Sequence, residues 1–399
     1  MKRTLASITL LAAMVVSVPF TTGAAASTKF TDISSHWGKG AIETAAGAGI
    51  LNGYADGSFK PGGQITRAEL VKAMTLTFGL EEGAKGDKWY SGFQTALTEA
   101  NILVAGDFAG DINKPATREE IAKIAVRGAF PQYRSKKLTS EELMFRAVHA
   151  GLLSRTGNDA STIDAKSTTT RAQVAVIINR LIDISNGKTL EVDKGAATAA
   201  EVAWHKHNFI TMFGQDDLVK FPHTVKIDDG YQVTIDQLLV LDPSDTKGYY
   251  SQYLAGAEYF IGDRKANASE GYVFAYKLVG KSLKSQSGQF QNMAQSFYMY
   301  TEGNSGPTVL AQKYWYGDMD NQTVTEQSGL FRNRTGLSLA KSGNVGHNYI
   351  LEFVSKDFIQ SQIKEYGALP IHLERFGMGY TPQSRFYLTE VKDRDGKNT

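Results

Sequence analysis

The feature that most constrains this chain is a pattern that returns three times. Trp37 and Trp89 each precede a helix-like segment, residues 41–46 in one case and 93–97 in the other, and a third such segment spans residues 145–150. The three segments close on similar signals, Gly49-Ile50-Leu51, Asn101-Ile102-Leu103 and Gly151-Leu152-Leu153. Glycine or asparagine there suits the positive φ that ends a helix. A loop rich in turn residues follows, most complete in Asn52-Gly53-Tyr54-Ala55-Asp56-Gly57-Ser58-Phe59-Lys60-Pro61. A second helix then opens at Thr66-Arg67-Ala68-Glu69, Thr117-Arg118-Glu119-Glu120 and Thr170-Arg171-Ala172-Gln173. All three openings match the capping box, in which the threonine hydroxyl satisfies one backbone N–H and the Glu or Gln side chain reaches back to another. Apolar residues continue at helical spacing: Leu70, Val71 and Met74; Ile121, Ile124 and Ala125; Val174, Ile177, Ile178 and Leu181. A single helix–loop–helix unit cannot bury its own apolar face, so the three units are expected to pack together.

Capping explains the threonine and the acid or amide. It does not explain Arg67, Arg118 and Arg171, because a cation in the first helical turn opposes the macrodipole by a few tenths to about 1 kcal/mol. Two roles fit such a residue. It pairs with a carboxylate of the fold, Asp32 being the internal partner considered for Arg67, or it helps to form an anion pocket beside the unsatisfied N–H groups of the helix start.

The formal net charge is only +2, so no bulk field recruits nucleic acid or a membrane surface, and anion binding has to come from local placement. The chain has no cysteine, which excludes disulfides, thiolate metal sites and cysteine nucleophiles. Lys2 and Arg3, an apolar run from Ile8 to Val18, and Ala24-Ala25-Ala26 read as a secretory signal over residues 1–26, cut before Ser27. No later segment is long and apolar enough to span a bilayer.

The stretch Phe30-Thr31-Asp32-Ile33, His36-Trp37, Ala41-Ile42, Gly49 to Tyr54, Asp56 to Pro61 and Ile65 to Glu69 resembles a complete S-layer homology (SLH) motif. The second copy keeps Trp89, the helix and Thr117 to Glu120. The third keeps the helix and Thr170 to Gln173 but lacks the Phe-x-Asp start and the tryptophan. The resemblance implies an all-α, pseudo-threefold module whose inter-repeat grooves bind anionic, pyruvylated secondary cell-wall polysaccharide. It also implies that Arg67 and Arg118 contact the ligand, and Arg171 too if the degenerate third repeat keeps a working groove. Chemically, arginine grips a ketal carboxylate bidentately. Trp37 and Trp89 are sugar-stacking residues or core residues of their repeats, and Asn52, Gly53 and Gly57 let backbone approach a ligand or simply shape the turn. Asp32 completes the candidate site.

Beyond Asp183 the composition changes. Residues 186–203 read as a linker, with Ser185-Asn186-Gly187 and an alanine-rich run. Of the 18 tyrosines only Tyr54, Tyr90 and Tyr133 precede this point. Alternating segments at 272–276, 297–300, 309–316, 349–354 and 386–391 predict a β-rich C-terminal domain, sandwich or barrel-like, with helical pieces near 204–214 and 357–366. Its candidate sites carry weak signals: His205 and His207 for a metal, Asp216-Asp217 and Asp228-Asp229 for calcium, Glu201, Asp318, Asp320 and Glu326 for a glycosidase pair, and Tyr314-Trp315-Tyr316 for sugar stacking.

The expected layout is a signal peptide (1–26), three repeats (27–80, 81–134 and 135–185), a linker (186–203) and a β-rich domain (204–399). The expected function is a non-enzymatic, wall-anchored surface protein that needs no cofactor and binds no nucleic acid. A wall-anchored polysaccharide or peptidoglycan hydrolase with its site in 204–399 is the alternative, and a self-associating lattice protein a third reading.

Overall fold

The computed structural model describes residues 30–156, 163–229, 231–246, 251–254, 256–261, 264–283, 297–298, 309–318, 323–331, 345–376 and 382–390. The proposed signal sequence lies outside these residues. The chain divides into two compact units that meet in sequence between Ala200 and Glu201.

The first unit is helical: α1 (Lys39–Gly47), α2 (Arg67–Thr77), α3 (Ser91–Glu99), α4 (Arg118–Ala129), α5 (Ser140–His149) and α6 (Arg171–Ser185), two helices to each repeat. The helices α1, α3 and α5 end in the same way. Gly49, Asn101 and Gly151 have φ of 71°, 55° and 72°. Their N–H groups donate to Ala46, Thr98 and Val148, and the next N–H groups, of Ile50, Ile102 and Leu152, reach back to Ala45, Leu97 and Ala147. These are Schellman closures, each burying the apolar residue that follows the left-handed position. The helices α2, α4 and α6 open with all three expected capping boxes in place, on Thr66/Glu69, Thr117/Glu120 and Thr170/Gln173.

The segment expected to be a linker is helical in its second half. Helix α7 (Lys194–His205) starts where Asp193 accepts the Ala196 N–H at 3.1 Å, and Ala196, Ala197, Ala199 and Ala200 are buried. Alanine is the strongest helix former, so a run that looked like flexible spacer folds once it has a cap and a surface to cover it.

From Glu201 onward the second unit is β-rich. Helix α8 (Phe209–Phe213) leads into β1 (His223–Asp228), β2 (Tyr231–Leu241), β3 (Glu258–Ile261), β4 (Arg264–Ala266), β5 (Gly271–Ser282), β6 (Phe297–Tyr298), β7 (Val309–Asp318), β8 (Thr323–Phe331) and β9 (Val345–Ser355). Helix α9 (Lys356–Tyr366), β10 (His372–Phe376) and β11 (Pro382–Tyr387) complete it. The described strands form three antiparallel sheets, ordered β1-β2-β5-β9, β11-β10-β6 and β4-β3-β7-β8. In the first sheet the β2/β5 register slips between Ile235 and Gln237. This bulge lets Val233 and Ile235, then Leu238 and Val240, all face one core, while Leu239 and Leu241 face another. The sheet is therefore apolar on both sides there, which explains the unbroken hydrophobic run Leu238–Leu241 at the end of β2. No helix among the described residues is long and apolar enough to cross a membrane.

Candidate functional site

The three repeats meet at the openings of α2, α4 and α6. Just before each capping threonine sits a buried residue, Ile65, Ala116 or Thr169. Their backbones bond in a closed cycle: Ile65 N–H donates to the Thr169 carbonyl, Thr169 N–H to Ala116, and Ala116 N–H to Ile65, at 3.1, 3.1 and 2.9 Å. The next two N–H groups of each helix also go to a neighbouring repeat. Arg67 and Ala68 donate to the carbonyls of Lys114 and Ile112, Arg118 and Glu119 to Ser167 and Ala165, and Arg171 and Ala172 to Gly63 and Pro61. The N-cap and third-position N–H groups are satisfied by the capping boxes. All four N–H groups at each helix start are thus consumed inside the protein. The expected anion pocket of unsatisfied helix-start amides is not built; the groups that would have formed it join the repeats instead.

The arginines follow the same hand-off, and all three are buried, at 4–6% exposure. Arg67 lies against the second repeat. Its Nε donates to Glu120 at 3.0 Å, its Nη2 to Glu120 Oε1 at 2.8 Å and its Nη1 to the Asp111 carbonyl at 2.8 Å. Burial pushes the Glu120 carboxyl up, and bonds from Arg67, Thr117 and Ala109 outweigh it, so the group is held below its ordinary value. Asp32 is not the partner of Arg67. Its two oxygens accept the Phe59 and Lys60 N–H groups at 2.8 Å and pin the first loop. Arg118 reaches the third repeat, donating to the carbonyls of Ile163 at 2.9 Å and Ser154 at 2.6 Å. Burial lowers its pKa; nearby Asp164 opposes that and Arg180 adds to it.

Arg171 returns to the first repeat. Its Nε donates to the Phe59 carbonyl at 3.0 Å and its Nη2 to the Asn52 carbonyl at 2.5 Å, with Glu69 Oε1 3.5 Å from Nη1. The guanidinium carbon lies 5.0 Å from the centre of the Tyr54 ring, and Lys60 Nζ lies 4.1 Å from the same ring. Gly53 is required here because a Cβ on it would meet Phe30 at 2.3 Å, and Gly57 turns the loop at φ 81° while its carbonyl accepts the Thr31 N–H. Gly38, next to Trp37, packs on Ala172. Most of the sequence-derived candidates (Arg171, Asn52, Gly53, Gly57, Asp32 and Trp37) therefore gather around one junction, between the third repeat and the first. Arg67 and Arg118 belong to the other two. Trp37 and Trp89 are not core residues: they are 68% and 58% exposed, and Tyr54 is 41% exposed. Tyr54 and Lys60, which sequence reasoning passed over as loop residues, complete this junction. The Lys60 left-handed backbone, φ 56°, is not visible in the residue type.

In the second unit, Glu201 is fully buried and accepts the Ile210 and Thr211 N–H groups at 2.8 and 2.7 Å. It caps α8 and is not an exposed glycosidase acid. No group of three or more His, Asp or Glu side chains among the described residues is placed to hold a metal, which covers the pairs considered at His205/His207 and Asp216-Asp217. Asp320 lies outside the described residues, as do the side chains of Asp228, Tyr314, Trp315, Tyr316, Asp318 and Glu326.

Comparison with known proteins matches residues 29–71, the first repeat, to the S-layer homology domain. The chain carries an SLH domain. Among the relatives of this SLH-domain protein are the Surface-layer 125 kDa protein of Lysinibacillus sphaericus, 29% identical over 46% of this chain, and the S-layer protein sap of Bacillus anthracis, 28% identical over 43%. Exoglucanase XynX of Acetivibrio thermocellus is 26% identical over 40%. These matches cover 17%, 23% and 17% of the respective relatives, so the chain spans less than a quarter of each. The SLH domain and the surface-layer relatives mark a secreted protein associated with the cell surface or cell wall.

Proposed function

We propose that the three repeats form a pseudo-threefold module that anchors the protein non-covalently to an anionic, pyruvylated secondary cell-wall polysaccharide, and that the β-rich unit is displayed in a structural or binding role. The observation that carries this reading is the junction of the third and first repeats. There a guanidinium and an ammonium group flank a partly exposed Tyr54 ring, and Trp37, next to the Gly38 that packs on Ala172, is left in solvent. A ketal carboxylate is a fixed anion on an otherwise neutral sugar. Lys60 meets its charge from outside and Arg171 from beneath, and the rings of Tyr54 and Trp37 offer apolar faces to the sugar. Arg118, whose partners are carbonyls rather than a carboxylate, serves the junction of the second and third repeats in the same way. Arg67, neutralised by Glu120, braces the first and second, and Trp89 is a further stacking face.

Co-sedimentation of the protein with purified wall glycan tests the reading. The wild-type chain binds. A Trp37→Ala, Tyr54→Ala, Lys60→Glu triple variant, altered only at exposed side chains, keeps its helical circular dichroism and loses about tenfold or more in affinity, roughly 1.4 kcal/mol. Undiminished binding by the triple variant removes the junction from the account, and no binding by the wild type removes the anchor.

A further inference from the structure

The second unit holds a chain of ionisable groups that wall attachment does not use. Glu201 near the end of α7 is fully buried, and His207, in the elbow between α7 and α8, is 3% exposed. His207 Nδ1 lies 3.0 Å from Glu201 Oε1, and His207 Nε2 lies 3.2 Å from Nδ1 of His205. The His207 ring is otherwise enclosed by the rings of Phe209 and Phe221, and its backbone bridges to Leu238 on β2. Among the described residues, the ionisable side chains placed against the His207 ring are Glu201 and His205; β2 presents Leu238, and Asp216, beyond α8, lies 3.9 Å from His205.

This geometry fixes where protons sit. The Phe209 N–H donates to His207 Nδ1 at 3.3 Å, so in the neutral ring Nδ1 is the acceptor and Nε2 carries the hydrogen, donating to His205 Nδ1. One added proton goes on His207 Nδ1, where it faces the Glu201 carboxylate at 3.0 Å, and the bond from Nε2 to His205 is kept. A second proton has no such solution, because two N–H groups would then face each other across the 3.2 Å gap.

We propose that Glu201, His207 and His205 form a proton-operated latch that holds α8 on the end of α7 at neutral pH and releases it when both rings are imidazolium cations. The same elbow is tied to β2, with Leu238 N–H donating to the Lys206 carbonyl and the Asn208 amide exchanging bonds with the Val240 backbone at 2.8 and 2.7 Å. Release therefore frees the entry to the β1-β2-β5-β9 sheet. The open state binds one proton more than the closed state, so acid favours opening by up to about tenfold for each pH unit.

The test is hydrogen exchange of the Ile210 and Thr211 amides, which donate to Glu201, in the full chain between pH 8 and 5, the range in which imidazoles ordinarily gain a proton. After division by the intrinsic exchange rate, the wild type shows an opening constant that rises about tenfold or more across this range. His205→Gln keeps a side chain able to accept or donate but never charged, and holds the constant within about twofold. His205→Asn, a second uncharged replacement at this partly exposed position, behaves the same way and covers the case of a poorly folded glutamine variant. A flat wild-type profile, or a rise of the same size in both folded variants, overturns the latch.

Discussion

At the helix openings where the repeats meet, polar contacts set the register: backbone bonds in a closed cycle and buried arginines on loop carbonyls. The β1-β2-β5-β9 sheet of the second unit is held by apolar side chains on both faces. Polar bonds are directional, so each repeat accepts one neighbour in one register, and removing a partner leaves a buried group unsatisfied. Apolar packing is less directional, and it tolerates shape-preserving changes better than it tolerates stray polar atoms.

That contrast can be broken most severely at Arg67. Arg67→Ala leaves the Glu120 carboxylate buried without its bidentate partner and should cost about 3–5 kcal/mol in urea unfolding. Pairing Arg67→Met with Glu120→Gln, which removes both charges and keeps an oxygen for the Thr117 N–H, should recover most of that loss; a double variant as unstable as the single one would show that the Asp111 carbonyl, not the ion pair, holds this junction.

Acid should also act on the polar side of the comparison. Burial pushes the Glu119 carboxyl up, but bonds from Lys166, Lys123 and Ser140 bring it down to about 2. Burial likewise raises Asp193, and bonds from Arg155 and Ala196 bring it down to about 2. Both groups titrate near pH 4 in an unfolded chain. Their stabilisation is complete above that value and is lost as the pH falls from about 4 to about 2, because the unfolded chain takes up protons first. Helical circular dichroism of the protein should fall over this window, and Lys123→Ala with Arg155→Ala should flatten the dependence.

A smaller effect is expected at a single cap. Thr117→Ala removes the hydroxyl that accepts the Glu120 N–H and should cost about 1 kcal/mol. The smallest belongs to the sheet. The Tyr276 hydroxyl is buried with no hydrogen-bond partner among the described residues, and burial and the Glu352 charge push its pKa well up. Tyr276→Phe should be neutral or stabilising by up to about 1 kcal/mol; a clear loss of thermal stability would reveal a bond to that hydroxyl.

Legibility in the sequence followed the range of each interaction. Caps and helix ends join residues three to five positions apart, so Thr66/Glu69 and Gly49/Ile50 could be read directly. The hand-off between repeats could not. Arg67 meets a carbonyl 44 positions away and Arg171 one 119 positions away, and nothing local says that the arginine of the degenerate third repeat faces the intact loop of the first. Trp37 and Trp89 pointed toward the core by residue type alone, but Gly38, next to Trp37, and Gly92, three residues after Trp89, are what the helix starts bury. In the second unit the alternation located β5, β6, β7 and β9 and touched the end of β11, but not β1, β2 or β10, and the bulge near Asp236 and the capping role of Glu201 depend on partners elsewhere in the fold.

The most direct measurement is an amide-resolved titration of the protein with pyruvylated wall glycan, using the same glycan stripped of its ketals as the control. The account predicts saturable shifts at Asn52, Gly53, Tyr54, Lys60 and Ala172, absent with the stripped glycan, and little change at Asp111 and Glu120. Shifts centred on Asp111 and Glu120 with residues 52–60 silent, or equal shifts with both glycans, would contradict it.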